Sequence, residues 1–82
     1  MTYVLDGNAI AGDLFAVYGR EMTAVVGRCR HCGTASAVAE LCVYPRAPGM
    51  VVRCPNCHTV VMVVVTIRDE CHVDLPGLEF EQ

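Results

Sequence analysis

Apolar positions along this chain change their period near residue 20. Before it, Ile10, Leu14, Val17 and Tyr18 recur at the i, i+4, i+7, i+8 spacing of one helix face, which predicts a helix over residues 5–19. Asp6 suits the N-cap, since its carboxylate can accept early backbone N–H groups and oppose the positive end of the helix dipole. That places Leu5 and Ile10 at the N′ and N4 positions of a hydrophobic staple. Gly19 suits the C′ position. Gly7 and Gly12 each weaken a helix by roughly 1 kcal/mol relative to Ala, so this one depends on docking.

Beyond it the pattern shortens to strand-like runs punctuated by turns. Strands are expected over 22–28, 37–44, 50–53, 59–67 and 71–75, with residues 76–82 as a tail. Ala47-Pro48-Gly49-Met50 places Pro at i+1 and Gly at i+2, as in a type II turn. Arg68-Asp69-Glu70 marks another turn. The run Val60 to Val65 is apolar on both strand faces. The helix can cover one of them; the other calls for a second layer, the tail or another protein molecule.

At 82 residues the chain has room for one domain, near the size where apolar burial barely offsets chain entropy. Its apolar content of 54% is mostly Val and Ala, with no Trp, which favours a tight β core over aromatic stacking platforms. The net charge of −3 argues against broad nucleic-acid binding, although it permits a local basic patch. Met1 to Asp6 lacks a basic stretch followed by an apolar core, so no secretory signal is expected. Val60 to Val65 is too short to cross a bilayer. Six Cys without an export signal point to a reducing cytoplasm, where thiols bind metal more readily than they pair.

The chemistry lies in a phrase written twice. Arg28-Cys29-Arg30-His31-Cys32-Gly33-Thr34 returns as Arg53-Cys54-Pro55-Asn56-Cys57-His58-Thr59. Cys29, Cys32, Cys54 and Cys57 together supply four thiolates, the number that closes a tetrahedral zinc site. Two residues between paired Cys let the chain turn back with its N–H groups toward the sulfurs. Gly33 and His58 sit where a left-handed conformation is common in such turns. One structural Zn2+ per chain is expected.

The order of knuckle, hairpin, knuckle and strand resembles the zinc-ribbon superfamily. The fuller phrase runs from Leu5-Asp6-Gly7-Asn8-Ala9 through Cys29-x-x-Cys32-Gly33 and Ala47-Pro48-Gly49 to Arg53-Cys54-Pro55-x-Cys57. It is similar to a family of small bacterial zinc-ribbon proteins of unknown function, over nearly the whole chain. The resemblance implies the same four Cys as ligands and adds no activity.

Other residues have plainer readings. Cys71 alternates with Val73 and Leu75 toward the core, while Cys42 shares a face with Val38, Glu40 and Tyr44; both read as free thiols, with a disulfide as the alternative. Arg28, Arg30 and Arg53 crowd the knuckles, where they can balance the −2 charge of a four-thiolate zinc site. Together with Arg46 they could instead form a phosphate-binding crown. His31 and His58 read as surface knuckle residues, and His72 and Asp74 as a solvated face.

The expectation is a small zinc-stapled β domain, residues 1–82, with antiparallel hairpins carrying the knuckles and one N-terminal helix. Its expected role is non-catalytic, a protein-interaction module that meets a partner or a second copy through the apolar β face. A second reading is a nucleic-acid-binding ribbon using the four Arg. A third is a thiol redox or zinc-responsive sensor. No nucleophile triad, paired carboxylates or phosphate loop suggests an enzyme.

Overall fold

The computed structural model describes residues 4–46 and 48–81. It is a small, β-dominated fold with one short helix. Strand β1 (Leu5–Asp6) leads into a 3-10 turn (Gly7–Ile10) and helix α1 (Ala11–Tyr18). Strands β2 (Val26–Cys29) and β3 (Ala35–Ala37) flank the first Cys pair, and a second 3-10 turn (Val38–Glu40) follows. Strands β4 (Cys42–Arg46), β5 (Gly49–Arg53), β6 (Val60–Ile67), β7 (Glu70–Asp74) and β8 (Leu78–Phe80) complete the chain. They form a five-stranded antiparallel sheet, β1-β4-β5-β6-β7, and a three-stranded one, β3-β2-β8.

The helical segment is built as its caps imply but is shorter than expected. Asp6 Oδ1 accepts from the Asn8 N–H at 3.0 Å, and Gly19 closes α1 at φ 71° with its N–H on Phe15 O. Leu5 is held extended by pairing with Val43, so the first turn tightens to 3-10 and the α-helix proper begins at Ala11. Ile10 and Leu14 are fully buried, and α1 packs on β7. Val17 and Tyr18, expected on the buried face, remain 41% and 37% exposed, because so short a helix presents about two turns to the core. Tyr18 stands edge-on to Phe80 at 5.9 Å.

Three other expectations are corrected. The strand expected over 37–44 is interrupted, because Glu40 turns back to accept the Ala37 N–H at 2.8 Å. The resulting turn points Val38 and Leu41 together into the core. The type II turn at 47–50 is displaced: Gly49 pairs with Val65 inside β5, without positive φ. Residue 47 itself lies outside the described residues. The expected tail contributes β8, antiparallel to β2, with Leu78 buried in the core.

In the five-stranded sheet, Leu5, Val43, Val52 and Met62 sit side by side across four strands and face α1. A bulge where Arg53 meets Val60 puts an extra residue into β6. Alternation breaks there, and both Val61 and Met62 are buried. The opposite face carries Tyr44, Val51 and Val63 in one row, half-buried. The molecule is 19 Å thick, about one sheet and one further layer.

Candidate metal centre

Each Cys pair lies in the loop of a hairpin, β2–β3 for the first and β5–β6 for the second, and the loops are built alike. The Cys29 N–H donates to Thr34 O at 2.9 Å and the Gly33 N–H to Cys29 O at 2.8 Å. In the second copy the Cys54 N–H donates to Thr59 O and the His58 N–H to Cys54 O, both at 3.0 Å. Gly33 and His58 both take left-handed backbone, φ 79° and 64°. The Arg before each pair acts as a latch: Arg28 Nη1 donates to Gly33 O and Arg53 Nη1 to His58 O, each at 2.7 Å.

These two loops face one another. All four Cys Sγ atoms lie within 4.8 Å of each other, and both Cys29–Cys57 and Cys32–Cys54 are 3.7 Å apart across the loops. Four sulfurs at about 2.3 Å from a central ion sit about 3.8 Å apart at the corners of a tetrahedron, so the donor set fits a tetrahedral, thiophilic metal. Cys29 and Cys54 are buried and Cys32 is exposed. The site is therefore open to solvent on one side and walled by the core on the other.

Two residues that the sequence reading did not single out also serve it. Asn56 of the second loop reaches the first, with Nδ2 3.0 Å from Thr34 Oγ1 and 3.5 Å from Cys32 Sγ. Thr34 Oγ1 is 3.2 Å from the same sulfur. Their only signal in the sequence is place: an amide inside one pair and the repeated Thr after both. The Asn56 N–H points at Cys54 Sγ at 3.4 Å, the backbone arrangement expected of such a turn.

These contacts split the thiol acidities. The Thr34 hydroxyl, then Asn56, draw Cys32 down to about 5. The Thr59 backbone N–H favours the Cys57 thiolate, but desolvation and the neighbouring sulfurs outweigh it and push Cys57 up to about 12. Four thiolates cannot share this volume without a cation.

The remaining candidates separate. His31 and His58 are exposed and outside the sulfur cluster. Cys71 faces α1, its Sγ 3.7 Å from Asp13 O, whereas Cys42 shares the opposite sheet face with Tyr44. Both are free thiols on opposite faces of one sheet, so they cannot pair. His72 and Asp74 are exposed, with His72 3.6 Å from Glu70. The Arg crown is divided: Arg28 meets Glu81 at 2.8 Å and Arg30 meets Glu79 at 3.5 Å, while Arg46 and Arg53 line a cleft on the other sheet face.

Residues 1–82 match a family described as a family of unknown function, DUF6510. The chain belongs to that family. Comparison with curated proteins and with solved structures gives no match. Family membership therefore assigns no activity, and the cysteine cluster carries the chemical reading. Among the described residues, no helix is long and apolar enough to cross a membrane.

Proposed function

We propose that the chain is a single zinc-ribbon domain that binds one structural Zn2+ through Cys29, Cys32, Cys54 and Cys57 and works as a non-catalytic protein-interaction module in a reducing compartment. The observation that carries this reading is the cluster of four sulfurs, all within 4.8 Å of one another and 3.7 Å apart at two contacts between two loops of the same construction. The metal joins the two sheets by tying one hairpin of each, which suits a chain short of core. The open sheet face around Val51 and Val63 supplies the contact surface. Division of the Arg crown between two sheets, with half of it already paired to Glu79 and Glu81, favours this reading over a nucleic-acid-binding one.

Cobalt substitution tests the site. A Co2+-loaded protein should show the intense visible bands of a tetrahedral thiolate complex, titrating to one equivalent and displaced by zinc. Cys32→Ser should shift those bands, and Cys42→Ser should leave them alone. Bands of octahedral intensity, or a stoichiometry other than one, would remove the proposal.

A further inference from the structure

The likeness of the two knuckles makes a difference in their charged partners informative. At the first, the latch arginine has a second partner: Arg28 Nη2 meets the Glu81 carboxylate at 2.8 Å, and Arg30 beside it meets Glu79. Both carboxylates arrive on one extended acidic segment, Glu79-Phe80-Glu81, at β8. At the second, Arg53 holds His58 O in the same way, but no carboxylate among the described residues pairs with it or with Arg46. Its guanidinium lies 5.8 Å over the Tyr44 ring instead.

Both arginines line an open cleft of about 750 Å³ on the outer face of the five-stranded sheet, with Tyr44, Val51, Val60 and Val63. Its floor is apolar and its charged groups are cationic, in a chain whose net charge is −3. Arg53 is level with Cys42, so Arg46 lies four residues along β4 from it, about 13 Å at the rise of a strand. An extended peptide with carboxylates four residues apart spans the same distance. Its middle residue then points at Val51 and Val63, between the two arginines.

Building on the interaction-module reading, we propose that this cleft binds an extended acidic segment of a partner protein, two carboxylates flanking an apolar residue. Carboxylates would engage Arg46 and Arg53 as Glu79 and Glu81 engage Arg30 and Arg28 within the chain. Guanidinium groups suit carboxylates through paired, charge-assisted hydrogen bonds. Two cations on an apolar floor are too few for a nucleic-acid backbone, whose binding scales with the phosphates neutralised.

The probe is a fluorescein-labelled peptide with two glutamates four positions apart, a central leucine and serines between, titrated with zinc-loaded protein by anisotropy at low salt. A twin peptide with glutamines serves as control. Saturable binding is expected for the acidic peptide alone, with amide shifts at Tyr44, Val51 and Val63. Arg46→Gln, which touches neither knuckle, should weaken it about three- to tenfold, and Arg30→Gln should leave it unchanged. Absence of binding at millimolar peptide, equal binding of the glutamine twin, or indifference to Arg46→Gln would overturn the proposal. So would tighter binding of labelled oligothymidylate at the same residues, or a dimer covering them. Zinc content and melting are measured on the same samples. A cleft that fails in a protein holding one zinc sinks this inference alone, and a protein without zinc sinks the module beneath it.

Discussion

Gly33 and His58 hold the same left-handed place in two loops of the same construction, so their substitutions should behave oppositely. A side chain at Gly33 meets nothing within 4 Å, so Gly33→Ala should cost about 1–2 kcal/mol from backbone strain alone. His58→Gly relieves such strain while loosening the unfolded chain, and should lie within about 1 kcal/mol of neutral. Thermal unfolding of both zinc-loaded variants checks the pair. Acidity gives a second expectation at this scale. With Cys57 at about 12 its thiol is protonated near neutral pH, so zinc binding must expel a proton, whereas Cys32, at about 5, is already thiolate. Zinc affinity should therefore fall as pH is lowered, and more steeply as pH nears 5 and Cys32 also takes a proton. Calorimetry at pH 7 in two buffers of different ionisation enthalpy should register proton release; buffer-independent heats would contradict it. The four Cys and the left-handed positions were legible because spacing and residue type determine them locally. Asn56 was not, because its role is to reach across to the other loop.

At the scale of elements, the helical caps were readable, and the turn at 47–50 and the long-range pairing were not. Asp6 and Gly19 act at the ends foreseen for them. Gly7, read as a weakness in a helix, is required instead: a Cβ there would stand 1.7 Å from Val38 O, where the two 3-10 turns touch. That contact joins segments 31 residues apart, which no local pattern reports. The bulge that buries Val61 and Met62 together is likewise set by the partner strand. β8 was missed because three residues alternate too briefly to signal a strand; its place comes from pairing with β2 and from Gly27, whose missing side chain admits Leu78. Leu78→Ala should accordingly cost about 2–5 kcal/mol, as for a large side chain removed from a packed core. Phe15→Ala, on the exposed face of α1, should stay within about 0.5 kcal/mol. Denaturant unfolding of both variants makes the comparison, and equal losses would mean that β8 behaves as a tail after all.

Across the whole molecule, two sheets share one small core, and the cysteine cluster sits where a hairpin from each meets the other. Structural zinc in small domains contributes apparent free energies of ~10–16 kcal/mol, as large as the entire stability of most domains. On this account the β2–β3 hairpin is held to the larger sheet by the metal, by Val38 and Leu78 in the shared core, and by the Gly77 bridge, whose N–H donates to Val61 O and whose carbonyl accepts from the Arg30 N–H. The most direct measurement is the thermal unfolding transition, followed by circular dichroism as a chelator is titrated into the zinc-loaded protein under reducing conditions. The account predicts that the cooperative transition disappears in step with loss of one zinc per chain and returns when zinc is restored. A transition that keeps its sharpness and midpoint after all metal has been removed would contradict it.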